Sequence, residues 1–144
     1  MRIGINGMGR MGRLALRAAR GGIRRAAEDT RRDAMLDVVH VNETRGGTAV
    51  AAHLLEFDSI HGRWHESFQV DGDRGFAVGG KYVGFSAAPT PEAVPWGDLG
   101  CDIVLECTGK FLKPEQLDGY FRRGVKRVIV AAPIKDDRAL NVVV

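Results

Sequence analysis

Three glycines near the start of the chain, Gly7, Gly9 and Gly12, are spaced to do phosphate chemistry. They lie in Gly7-Met8-Gly9-Arg10-Met11-Gly12, after the apolar segment Ile3-Gly4-Ile5-Asn6 and before the helical run Leu14-Ala15-Leu16-Arg17-Ala18-Ala19. This order predicts a strand, a glycine turn and a helix. Gly7 permits the tight turn off the strand, and Gly9 lets backbone approach a pyrophosphate with no side chain between them. Gly12 lets the helix pack closely on the strand. The N-terminus of the helix then offers free N–H groups to the phosphates. The ligand implied is a dinucleotide.

A carboxylate at the end of the second strand would bind the adenosine ribose in such a unit. Glu43, after the β-rich run Leu36-Asp37-Val38-Val39-His40-Val41-Asn42, has that place. A carboxylate there repels a 2′-phosphate, so NAD is favoured over NADP, although Arg45 stands two residues on. Gly12 and Glu43 are further apart than the usual separation of about 20 residues, and an arginine-rich stretch from Arg20 to Asp33 supplies the excess.

Other reactive side chains carry less. Cys101 and Cys107 fit neither a disulfide framework nor a zinc site, and a reducing, cytoplasmic setting is expected. His61 and His65 are four apart, but Gly62 and Trp64 between them break any helical pattern, so no metal site is predicted. His61 reads as part of a hydrogen-bonded loop element, Asp58-Ser59-Ile60-His61-Gly62. His40 reads as a structural strand residue, and His53 as a helical one. Lys110 reads equally as a charge near the ligand and as an exposed loop residue.

The chain has 144 residues, enough for one domain with a core. Hydrophobic residues make up 44% and charged residues 27%, an ordinary balance for a globular protein. No apolar run reaches the length of a membrane span. The net charge is +3, and much of the positive charge falls early, at Arg10, Arg13, Arg17, Arg20, Arg24, Arg25, Arg31 and Arg32. No aromatic residues are interleaved there, so the run lacks a stacking platform for nucleic acid and reads as a solvated helical face.

The elements that must position these residues follow in order. The first helix is expected over Arg10 to Ala19 and a second piece over Ile23 to Ala34. Thr48 is expected to cap a helix from Ala49 to Phe57. Phe68-Gln69-Val70, Phe76-Ala77-Val78 and Tyr82-Val83-Gly84-Phe85 read as a small antiparallel meander. Asp102 to Cys107 is a buried parallel strand by its apolar run. Pro114 opens a helix reaching Arg123, and Val128-Ile129-Val130-Ala131 is a further strand. Val142-Val143-Val144 reads as a buried strand cut short, so 1–144 is expected to be a truncated dinucleotide-binding domain. A stand-alone nucleotide-binding module is the alternative. The fold expected is α/β, Rossmann-type and doubly wound, mostly parallel with a small antiparallel insertion.

Five blocks in order carry a resemblance. They are Ile5 to Arg13, Phe57-Asp58-Ser59-Ile60-His61-Gly62-Arg63, Val94-Pro95-Trp96-Gly97-Asp98, Glu106-Cys107-Thr108-Gly109-Lys110-Phe111 and Lys126 to Pro133. They resemble phosphorylating glyceraldehyde-3-phosphate dehydrogenases. Ala52 to Asp58 and Gly109-Lys110 look most like the branch associated with arsenate resistance, and erythrose-4-phosphate dehydrogenase is a near relative. The resemblance implies oxidation of a phosphorylated aldehyde to an acyl phosphate or acyl arsenate, with hydride passing to NAD in a homotetramer. It places Asn6 near the cofactor, the N–H groups of Arg10 and Met11 on the pyrophosphate, and Glu43 on the ribose. Thr108, Gly109 and Phe111 would line the crevice, and Ala131 would sit on the nicotinamide side. It places the catalytic cysteine and histidine beyond Val144, so no catalytic residue is expected within this chain and the fragment alone is expected to be inactive. Pro89, where the family often has arginine, and Ala131, commonly serine, imply altered affinity. Glu43 replaces a more usual aspartate.

Overall fold

The computed structural model describes residues 1–21 and 36–142. Its centre is a seven-stranded sheet in the order β5-β6-β7-β2-β1-β8-β9. The strands are β1 (Arg2–Asn6), β2 (Asp37–Asn42), β5 (Phe68–Asp71), β6 (Gly75–Val78), β7 (Lys81–Ser86), β8 (Ile103–Glu106) and β9 (Arg127–Val130). The run β7-β2-β1-β8-β9 is parallel throughout. β5, β6 and β7 pair antiparallel, so the expected meander forms and its last strand joins the parallel sheet. After β1 the chain builds outward through β2, then returns to the other side of β1 for β8. The strand order therefore reverses beside β1, where open α/β sheets bind ligands beyond their carboxyl ends.

Two apolar layers cover the sheet. One holds Ile5, Leu16, Val41, Leu55 and Phe76, and includes helices α1 (Arg10–Ala19) and α2 (Gly47–Glu56). The other holds Trp96, Val104, Leu117 and Tyr120, and includes α3 (Pro114–Arg122). The register between β1 and β2 slips after Ile3, pairing Ile3 with Val38 but Gly4 with His40. The extra residue lets Val39 and His40 both face the Trp96 layer, where the His40 ring meets Trp96 edge-on at 5.7 Å. Gly4 is needed beneath that indole, because a Cβ there would lie 2.7 Å from Trp96 Cζ3.

Several expectations are corrected. Thr48 does not cap α2. Gly46 does, with φ of 78°, and the helix begins at Gly47. The two glycines turn the chain in the left-handed region before Thr48, which is left inside the first turn, buried, with its hydroxyl unpaired. Phe57 is not helical. It starts a two-residue strand, β3 (Phe57–Asp58), paired with β4 (Gly62–Arg63). The loop between them is held by Asp58 Oδ1, which accepts from the N–H groups of Ile60 and His61. Val142 is 72% exposed and lies outside any strand, and among the described residues no strand pairs with it. Val143 and Val144, like the second helical piece expected over 23–34, lie outside the described residues.

The arginine run is not a solvated face throughout. Arg17 is buried and donates to three carbonyls, Leu55 O at 2.9 Å, Glu56 O at 2.8 Å and Gly62 O at 2.9 Å. It closes the C-terminal end of α2 and ties the β3–β4 hairpin to α1. Arg20 donates to Val38 O at 2.8 Å and Lys81 O at 3.1 Å. Helical spacing put these cations inward as well as outward, and the carbonyls they meet come from elements remote in sequence.

Candidate functional site

A cleft of about 260 Å³ opens at the carboxyl ends of β1, β2 and β8. Of the residues expected to bind cofactor, Asn6, Gly7, Gly9, Glu43, Thr108 and Phe111 line it. Arg45, Pro89, Cys107 and Lys110 line it as well, and so do Asn42, Thr44 and Ala88, which carried no motif of their own. Arg10, Met11, Gly12, Gly109 and Ala131 do not line it.

The glycine turn explains this division for residues 6 to 12. Gly7 has φ of 96° and donates its N–H to Asn42 O at 2.8 Å, so the turn leaves β1 against the end of β2. Gly12 lies behind the turn. A Cβ on it would stand 1.9 Å from Gly7 O, so its task is close packing of α1. Gly9 faces open space, with nothing within 4 Å of the position a Cβ would take. α1 starts immediately after it, with no side-chain cap and no acidic residue in its first turn. Its first intrahelical bond runs from Arg13 N–H to Gly9 O at 3.1 Å. The N–H groups of Arg10, Met11 and Gly12 precede that bond and lack helical acceptors, which makes this end suited to an anion.

The turn is pinned from two directions. Glu43 Oε2 accepts the Met8 N–H at 2.9 Å, and Arg13 donates to Met8 O at 2.9 Å. Glu43 Oε1 accepts the N–H of Arg45 at 3.1 Å. The carboxylate expected at the ribose therefore also organises the phosphate turn. Each of its oxygens has a second lone pair for a ligand hydroxyl. Arg13 was missed because a lone arginine on a helix carries no sign that it will reach back to a turn.

From the cleft floor inward runs a polar row, lined at the cleft by Asn6, Asn42 and Thr108 and buried at Glu106. Asn42 donates to Asn6 Oδ1 at 2.8 Å, and Asn6 donates to Glu106 Oε2 at 2.8 Å. Glu106 Oε1 accepts the Thr108 N–H at 2.7 Å and the Thr108 hydroxyl as well. The Tyr120 hydroxyl donates to Glu106 and accepts from Asn6 at 2.5 Å. Burial and the neighbouring Glu106 push the Tyr120 phenol well above its ordinary range, so it stays a donor. Asn42 Oδ1 also accepts from Ser86 Oγ, and Ser86 meets His40 Nε2 at 2.9 Å. Burial lowers His40 to about 4, so its ring is neutral.

Neither cysteine is built as a nucleophile. Burial, the largest cause for each, pushes Cys101 and Cys107 up to about 11, which keeps both as thiols at neutral pH. Ala131 lies just past β9, where its N–H meets Glu106 O at 2.9 Å. Among the described residues no cluster of three or more His, Cys, Asp or Glu side chains could hold a metal ion, and no helix is long and apolar enough to cross a membrane.

Residues 1–114 match the sequence pattern of the family described as glyceraldehyde 3-phosphate dehydrogenase, NAD binding domain. The chain belongs to this family. It is 51% identical over 143 residues to glyceraldehyde-3-phosphate dehydrogenase 3 of a Nostoc species, covering 99% of this chain and 39% of that protein. The glyceraldehyde-3-phosphate dehydrogenase of Clostridium acetobutylicum is 42% identical over 136 residues, and that of Geobacillus stearothermophilus 37% over 137. These two matches cover 94% and 95% of this chain, and 37% of each relative. The chain thus spans well under half the length of these relatives. Its dinucleotide is NAD, and its Rossmann-type sheet fits an NAD-binding domain.

Proposed function

We propose that this chain is the cofactor domain of an NAD-dependent oxidoreductase that oxidises a phosphorylated aldehyde to an acyl phosphate. The relatives' shared name supports the substrate class. The observation that carries the site assignment is the juxtaposition of an uncapped helix start, a glycine with open space above it, and Glu43 on one cleft. These features fit NAD. The free N–H groups after Gly9 would take the pyrophosphate, Glu43 the adenosine ribose, and Thr108 and Phe111 the wall further along. When bound, the nicotinamide supplies the hydride acceptor. The chain's part is to orient that cofactor on a preformed turn.

We place the nucleophilic cysteine and its histidine outside these 144 residues. Supporting this, burial of Cys101 and partial burial of Cys107 keep both as thiols, and among the described residues no histidine hydrogen-bonds either of them.

Calorimetric titration of the 144-residue chain with NAD and with NADP tests the assignment. Binding of NAD is expected, with NADP weaker. A carboxylate and a phosphate about 4 Å apart repel by roughly 1 to 4 kcal/mol per unit charge, depending on local solvent. Glu43→Ala should therefore narrow the preference for NAD by about tenfold. Equal affinity for the two dinucleotides in the wild type would refute the role given to Glu43.

A further inference from the structure

The polar row running inward from the cleft has a direction, and its two ends are set by backbone. At one end the Ala88 N–H donates to Asn42 Oδ1 at 2.8 Å and Asn42 Nδ2 donates to Ala88 O at 2.9 Å. That pair of bonds fixes which way the Asn42 amide faces. Its Nδ2 must then meet the oxygen of Asn6, and the Nδ2 of Asn6 must point on to residue 106. At the other end the Thr108 N–H also points at residue 106. A backbone N–H cannot turn into an acceptor. Residue 106 is therefore approached by donors from both sides, and only a group that accepts at both of its polar atoms satisfies them. A carboxylate is such a group and an amide is not. Glu106 is 1% exposed, so no water replaces a missing partner.

The two anchored segments are opposite walls of the cleft. Ala88 and Pro89 stand on one side, and Cys107 and Thr108 on the other. We propose that Glu106 is a positioning residue of the NAD site, whose buried carboxylate sets the hydrogen-bond direction through Asn6 and Asn42 and so fixes both cleft walls. The proposal rests on the NAD reading for its functional arm, while the network itself is tested independently of ligand.

The same reasoning shows how to move the charge. In Glu106→Gln the amide oxygen stays on the Thr108 N–H, and its NH2 faces the NH2 of Asn6. Turning Asn6 over passes the clash to Asn42, and turning Asn42 passes it to the Ala88 N–H. In Asn6→Asp two carboxylates face each other. In the double variant every bond is satisfied again. The amide now at position 106 accepts from Thr108 and donates to the carboxylate now at position 6, which also accepts from Asn42. The Tyr120 hydroxyl reverses its role between the two positions. Both substitutions preserve side-chain shape, so a packing role alone predicts no rescue.

The experiment is a double-mutant cycle on the 144-residue chain, read by thermal unfolding without ligand and by NAD calorimetry. Each single variant should lose at least about 5 °C of Tm and about tenfold in NAD affinity, from one buried unsatisfied or repelling contact. The double variant should recover at least half of the Tm loss and bind NAD more tightly than either single variant. Additive losses, a double variant that does not fold, or a Glu106→Gln variant within about twofold of wild type in affinity would overturn the proposal. A wild-type chain that fails to bind NAD would instead refute the cofactor site, leaving the unfolding cycle to decide on the network.

Discussion

Gly9→Ala separates ligand contact from fold more cleanly than any other change in the turn. Gly9 has φ of −66° and ψ of −163°, a conformation open to any L-residue, and an added Cβ meets nothing within 4 Å. The folded chain should therefore tolerate alanine, the unfolded-state gain of about 0.4 to 1 kcal/mol offsetting a similar loss from the poorer cap of α1. Tm should stay within roughly 3 °C of wild type. Binding should respond differently. The open space beyond Gly9 is where a pyrophosphate would approach the free N–H groups of α1, and a methyl there displaces a phosphate oxygen by about 1 Å or more, past hydrogen-bonding range. Each charge-assisted bond lost costs about 1.5 to 3 kcal/mol, so one or two lost bonds cost about 2 to 5 kcal/mol. NAD affinity should fall at least about thirtyfold. Gly12→Ala is the contrast. Its Cβ would stand 1.9 Å from Gly7 O, so both stability and affinity should drop. Calorimetry with NAD and thermal unfolding on the two variants give the four numbers required. A Gly9→Ala chain that keeps its Tm and binds NAD within about threefold of wild type would show that the pyrophosphate does not cross Gly9.

Two further predictions concern the scaffold. Arg17→Met leaves the carbonyls of Leu55, Glu56 and Gly62 without their donor, at a cost of about 3 to 5 kcal/mol. Tm should fall by roughly 6 to 15 °C, and a loss within about 2 °C would mean water replaces the guanidinium. His40 is held near 4 by burial, below the unfolded value of 6.5, so the unfolded chain binds a proton that the native state refuses. That contribution is fully present above pH 6.5 and is lost as pH falls toward 4, up to about 3 kcal/mol. Urea midpoints at about pH 7 and about pH 4.5 should differ less in His40→Gln, which keeps a donor for Ser86, than in wild type. Equal acid sensitivity in the two chains would remove His40 as a cause.

What could be read in the sequence was what is decided locally. A glycine turn between an apolar strand and a helix constrains its own backbone, and Gly7 and Gly12 do in space what their spacing implied. The meander was legible because Asp71 to Gly75 and Gly79-Gly80 are turns whatever surrounds them. Two of the failures, Arg17 and Glu106, share one cause, that a side chain's role was set by groups arriving from far along the chain. Arg17 looked like one more surface cation, yet its three acceptors lie 38 to 45 residues away. Glu106 was given no role of its own within the strand Asp102 to Cys107, yet its partner Asn6 is 100 residues away. Thr48 misled in the other direction. Its type signals a cap, but Gly46 reached the left-handed region first and took the position. A buried ionisable group satisfied by remote backbone has no local signature, because the residue type is the same whether solvent or carbonyls surround it. Charged side chains of this kind also tie the cleft to its scaffold. Glu43 and Arg13 hold the turn and Glu106 holds the backbone at Thr108, so the site's geometry draws on three charged side chains outside the glycines, of which only Glu43 was marked by its place in the sequence.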